Sequence, residues 1–154
     1  MEELVIATAI AAAHKDVPGG LLPALHGIQD ALGHIPPEAV PLVAGQFNLS
    51  RAEVHGVVSY YHHFRNAPAG RLLVQVCRAE ACKAMGADAL LAHAADRLGC
   101  GVHGTSADGQ CSLEPVFCLG LCASSPAMAV NDAVHARVTP ALFDTIVEEA
   151  RSAA

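Results

Sequence analysis

Apolar and polar positions divide this chain into a helical first half and a mixed, strand-bearing second half. From Leu4 to Ala13 the residues are almost wholly apolar, which predicts a first helix ending near the Pro18-Gly19-Gly20 break. Leu22, Leu25, Ile28, Ala31 and Leu32 recur at steps of three and four, so a second helix over about 21–32 has one face to bury, and Gly33 is its stop. Pro36 and Pro37 suit the first turn of a third helix through Val40, Leu42 and Val43, where proline forfeits no intrahelical hydrogen bond. Ser50 with Glu53 three residues on reads as a capping box, opening a fourth helix that carries Val54, Val57 and Val58 toward Tyr60.

The segment Ala67-Pro68-Ala69-Gly70 then breaks the helical pattern and marks a domain boundary. A strand is predicted over Leu72–Val76, followed by a helix over about Lys83–Leu98 that Gly99 closes. A short strand at Val102–Gly104 comes next, then a hairpin of Ala127–Asn131 with Val134–Val138 about Asn131-Asp132. Thr139 caps a last helix with Pro140 in its first position, and Leu142, Phe143, Ile146 and Val147 form an apolar face to lie across the sheet. The expectation is an α+β protein, with a small helical bundle over 1–66 and a thioredoxin-like α/β domain over 71–154.

Composition changes this picture in two ways. Nine basic against 15 acidic residues give a net charge of −6, with no basic run to follow a phosphate backbone, so nucleic acid is not an expected partner. No stretch approaches the ~20 apolar residues needed to cross a bilayer, and the acidic start MEELVIATAIAAAHKD lacks the basic head of a secretory signal. A cytoplasmic protein without membrane insertion is expected.

The chemistry lies in cysteine. Cys77 and Cys82 form a C-x4-C pair, Cys118 and Cys122 a C-x3-C pair, and 35 residues separate the two. A disulfide framework is a possible use of six cysteines, but a reducing compartment and tight local spacing point to metal ligation. Four thiolates suit either structural zinc or a [2Fe–2S] cluster, in which one pair holds each iron. Spacing alone leaves both open. Thioredoxin-type dithiol exchange is not expected, since no C-x-x-C opens a helix.

The segments LLPALHGIQDALGHIPPEAV, AEVHGVVSYYHHF, VCRAEACKAMG, DGQCSLEPVFCLGLC and SSPAMAVN cover most of the chain, and together they resemble the thioredoxin-like [2Fe–2S] subunits. That family includes the twenty-four-kilodalton subunit of respiratory complex I and its relatives in NAD-reducing hydrogenases and NAD-dependent formate dehydrogenases. The resemblance implies that Cys77, Cys82, Cys118 and Cys122 ligate a [2Fe–2S] cluster. Arg78, Ala79, Glu80 and Ala81 between the first cysteines look most like the gamma subunit of the molybdenum-containing, NAD-dependent formate dehydrogenase. By that likeness formate is oxidised at a molybdenum cofactor in an alpha subunit, further iron–sulfur clusters lie in partner subunits, and NAD is reduced at FMN in a beta subunit. This chain would then be a non-catalytic electron-transfer subunit beside the FMN. The equivalent subunit of NADH:quinone oxidoreductase or hydrogenase is the alternative within the class, and a zinc-stapled adaptor the alternative outside it.

Other residues receive smaller roles. Cys100 and Cys111 are expected to be packing residues, and the nine histidines, His62, His63, His93 and His103 among them, lack ligand spacing with the cysteines. Gly120 is placed to turn backbone N–H groups toward sulfur. Arg78 and Lys83 flank the first pair, and a cation there favours the reduced cluster, whereas Glu80 opposes it; alternatively Arg78 is solvated or meets a partner protein. Tyr60, Tyr61 and Phe64 serve either docking or core packing. No phosphate loop, nucleotide fingerprint or nucleophile elbow is visible, so electron transfer is the expected work.

Overall fold

The computed structural model describes residues 1–153, which form two compact units, Met1–Pro68 and Ala69–Ala154 less its final residue. The first is built from four helices, α1 (Glu2–His14), α2 (Leu21–Leu32), α3 (Ala39–Phe47) and α4 (Arg51–Tyr60). Its core gathers Ala7 and Ala11 of α1, Leu25 and Ile28 of α2, Val40 and Val43 of α3, Val54 of α4, and Phe64 beyond it. Gly33 ends α2 in the left-handed conformation, its N–H donating to the Gln29 carbonyl. The capping box forms as the sequence predicts: the Glu53 N–H donates to Ser50 Oγ and the Ser50 N–H to Glu53 Oε2. One correction concerns the prolines, because Pro36 and Pro37 precede α3 in a turn and it is Pro41 that occupies its first turn.

Buried Gln29 closes this unit. Its Nε2 donates to the His63 carbonyl at 2.8 Å and its Oε1 accepts from the Arg65 N–H at 2.7 Å, fastening the loop after α4 onto α2. Phe64 is thereby core, while Tyr60 is 74% exposed and Tyr61 is also exposed.

The second unit holds a five-stranded sheet of β1 (Leu72–Cys77), β2 (Gly104–Thr105), β3 (Cys111–Val116), β4 (Met128–Val130) and β5 (Ala133–His135). Their spatial order is β2-β3-β1-β4-β5, with β1 and β3 parallel and the other pairs antiparallel. Between β1 and β3 run α5 (Glu80–Ala84) and α6 (Ala87–Leu98), and α7 (Pro140–Ala153) closes the unit. Leu72, Val74, Val76 and Leu113 from the sheet share one core with Leu90, Ala94 and Leu98 of α6 and Phe143, Ile146 and Val147 of α7.

Three expectations are corrected here. The single helix over Lys83–Leu98 is two helices, broken at Gly86, whose φ of 94° a residue with a Cβ resists. The segment Cys111–Val116, which reads poorly because Glu114 and Pro115 interrupt its apolar pattern, is the parallel partner of β1, and the predicted Val102–Gly104 strand is Gly104–Thr105. Leu142 is exposed rather than part of the face of α7. Thr139 does cap α7, its Oγ1 accepting from the Leu142 N–H. Among the described residues no helix is long and apolar enough to cross a membrane.

Candidate metal centre

The site sits where β1 and β3 end. Cys77 is the last residue of β1, paired in register with Val116, the last of β3. Two backbone bonds pin this turn: the Cys77 N–H donates to the Ala127 carbonyl at 3.0 Å and the Arg78 N–H to the Val116 carbonyl at 2.7 Å. The chain then enters α5, which carries Cys82. These two thiols are buried, 1% and 2% exposed, in a small apolar core with Ala87 and Ala127 against which Val116, Leu119 and Leu121 pack.

Cys118 and Cys122 lie on the loop after β3 and are exposed. Their sulfurs stand 3.6 Å apart. Two sulfurs on one tetrahedral metal, with metal–sulfur bonds near 2.3 Å, stand about 3.8 Å apart, so this pair already has the spacing of a shared ion. Cys118 adopts φ of 102°, an uncommon conformation for a residue with a Cβ. Gly120 follows at φ 77° and its N–H donates to Cys118 Sγ at 3.3 Å, the N–H-to-sulfur arrangement the sequence suggests.

Electrostatics ties the two pairs together. Burial pushes the Cys77 thiol up, but hydrogen bonds from the Ala79 amide, the Cys82 thiol and the Cys118 and Leu119 amides outweigh it and hold the group below its ordinary value. Cys82 is held above it, first by burial, then by its bond to Cys77 and by the negative charges of Cys77 and Cys122. Cys122 is raised mainly by its hydrogen bond with Cys118 and by that neighbour's charge, with Cys77 adding to it. All four predicted residues therefore share one neighbourhood, in which several thiolates together are unfavourable until a cation neutralises them. Among the described residues no three His, Cys, Asp or Glu side chains are grouped as a single-ion site needs. The thiols come as two pairs, and a two-iron cluster takes one pair per iron. The donor set fits that group.

The other candidates are elsewhere. Cys111 opens β3 opposite Leu72, five residues from the Val116 end, or about 16 Å at the rise of a strand. It is fully buried and accepts a hydrogen bond from Arg151 Nη2 at 3.5 Å. Cys100 is half-buried against the main core, and burial raises its thiol. His93 hydrogen-bonds Asp144 at 2.9 Å and His103 hydrogen-bonds Glu114, so both rings are taken up by carboxylates away from the cysteines. One residue that sequence reasoning misses is Asp88, in the first turn of α6, whose carboxylate takes Arg78 Nη2 at 3.0 Å, Arg78 Nε at 3.1 Å and Lys83 Nζ at 3.8 Å. The only sequence signal for it is Gly86, which marks where α6 begins.

A parallel β1–β3 pair with cysteine loops at its ends, and helices packed on the sheet, define a thioredoxin-like domain adapted to hold an iron–sulfur cluster. The family model for the thioredoxin-like [2Fe–2S] ferredoxin matches residues 7–151, and the chain belongs to that family. Its cofactor is accordingly a [2Fe–2S] cluster. Curated relatives include a component of the NADH-quinone oxidoreductase of Rhizobium meliloti (strain 1021), 34% identical over 145 residues, 94% of this chain and 86% of that protein. The NADP-reducing hydrogenase subunit HndA of Solidesulfovibrio fructosivorans is 33% identical over 131 residues, 85% of this chain and 77% of the relative. Among solved structures, an NAD+-reducing [NiFe]-hydrogenase in the H2-reduced state matches with a TM-score of 0.71 and 25% identity, over 86% of this chain and 22% of the hydrogenase chain.

Proposed function

We propose that this chain is the one-electron carrier of an NAD(P)-linked multisubunit oxidoreductase, with Cys77, Cys82, Cys118 and Cys122 as cluster ligands. The observation that carries this reading is the arrangement of the four thiols as two pairs, one from the end of β1 into α5 and one on the loop after β3. When bound, a [2Fe–2S] cluster takes up and releases one electron at a time. The chain's own part is to hold it. The buried pair is fixed by the Cys77 and Arg78 backbone bonds, and amide N–H groups of Ala79, Cys118, Leu119 and Gly120 point to sulfur. Electron-transfer chemistry needs no further catalytic residue here.

The names of the relatives, which couple NADH, NADP or NAD+ to quinone or hydrogen, support an FMN- and NAD-binding beta subunit as the direct partner. A flavin exchanges two electrons with the nicotinamide while the cluster exchanges one, which is why such a carrier stands beside it. For the parent complex we infer a cytoplasmic, molybdenum-containing formate dehydrogenase, on the Arg78–Ala81 segment between the first cysteines. Those same relatives favour NADH-quinone oxidoreductase or NAD(P)-reducing hydrogenase as the second reading.

Low-temperature EPR of the anaerobically purified chain, before and after dithionite, tests the class: a half-spin signal only after reduction is expected. Silence in both states with bound zinc and intact folding overturns it in favour of a zinc-stapled adaptor. Identification of the large subunit that co-purifies with the tagged chain then decides between formate, quinone and hydrogen.

A further inference from the structure

We propose that Asp88 sets the reduction potential of the centre by cancelling positive charge that Arg78 and Lys83 bring to it. The inference rests on the ligand reading above and adds a residue to it.

The sequence puts a cation directly after each buried cysteine, Arg78 after Cys77 and Lys83 after Cys82. Neighbouring Cα atoms are about 3.8 Å apart, so both cations start within a Debye length, about 8 Å at physiological ionic strength, of the ligand backbone. Left alone, they would present two positive charges to a group that becomes more negative when it accepts an electron. Each would favour the reduced form.

Asp88 changes that sum. One of its oxygens takes both Arg78 Nε and Nη2, and the other faces Lys83 Nζ, so one carboxylate is divided between the two cations and the trio carries a single positive charge. The break at Gly86 makes this possible: a helix running unbroken from α5 through α6 would not present the first turn of α6 back to Arg78. Asp88 therefore acts on the centre through Arg78 and Lys83 and touches no ligand itself, which makes it a positioning residue. A carboxylate in a first helical turn also stabilises the helix through its dipole, and that simpler role accounts for its presence without any effect on potential. The two roles separate by readout, because a helix-stabilising role moves the unfolding temperature and leaves the potential alone. The side chains of all three residues are between a third and three-fifths exposed, so solvent and salt screen the effect.

The test is an EPR-monitored redox titration of the full anaerobic chain at low and high salt. Asp88→Asn is expected to shift the midpoint upward, Asp88→Glu to stay at the wild-type value, and Arg78→Gln to shift it downward. The double variant Arg78→Gln with Asp88→Asn restores the wild-type charge sum and should return toward the wild-type midpoint, and the shifts should shrink at high salt. A wild-type cluster signal with an unmoved Asp88→Asn midpoint overturns the proposal and leaves the ligand reading standing. A wild type with no reducible signal overturns both. Asp88→Ser replaces the Asn variant should that one hold no cluster, and failure of both to hold one makes Asp88 a purely structural residue and overturns the proposal.

Discussion

Cys77 and Cys82 lie in an apolar core while Cys118 and Cys122 face outward, yet all four are proposed to do the same work. Replacing Cys82 or Cys118 by Ser should therefore abolish the reduced-state EPR signal and most bound iron, since one iron of the pair loses half its proposed protein ligands. Cys111→Ser should retain both, its thiol lying at the far end of β3 beside Arg151; iron and sulfide content measures the difference. The four proposed ligands stand out in the sequence because paired thiols at short spacing have few other uses where thiols stay reduced. Asp88 was not legible. A lone aspartate in an alanine-rich helix is ordinary, and its reach to Arg78 depends on a left-handed glycine whose effect on helix direction no hydrophobic pattern records.

At the scale of elements, local rules and tertiary pairing part company. The Ser50–Glu53 box, the Gly33 stop and the Thr139 cap are short-range chemistry, and each stands as read. Ser50→Ala is expected to cost about 1 kcal/mol of stability, read in chemical denaturation. β3 shows the limit of such rules: Cys111 and Leu113 alternate with Ser112 and Glu114 for only four residues before Pro115 interrupts, and its identity as a strand comes from six residues of parallel register with β1. Gln29 shows the same limit within the helical unit, where it sits on the buried face of α2 because the loop after α4 needs both ends of its amide. Gln29→Ala removes the buried amide's bonds to the His63 carbonyl and the Arg65 N–H and should destabilise by about 2 kcal/mol, more than the loss at Ser50.

For the whole molecule, two units with separate cores joined across the Ala67–Gly70 segment lead us to expect limited proteolysis to cut there before it cuts within α6 or α7; mass spectrometry of the fragments checks this. Acid sensitivity belongs to this scale too. Asp144 on α7 is held below the ordinary carboxylate value of 3.8, first by its hydrogen bond with His93 and further by Arg97, both on α6. A lowered folded value means that the carboxylate stabilises the fold above its ordinary value, and that this contribution is lost as pH falls through the lower one. Asp144→Asn should be less stable than wild type at neutral pH and lose less between about pH 5 and pH 2, as followed by circular dichroism. The thioredoxin-like class was readable from the order of elements, whereas the number of strands was not, because β3 declares itself only when β1 is beside it.

Half of the centre is sealed and half is bare, with Phe117 63% exposed on the same loop. An uncovered thiolate-held cofactor is open to oxygen and to chelators, so in air the exposed half would depend for shelter on the partner subunit proposed above. Copies made in excess of that partner would be the first to lose iron, and matched production of the subunits becomes a condition of keeping the carrier intact.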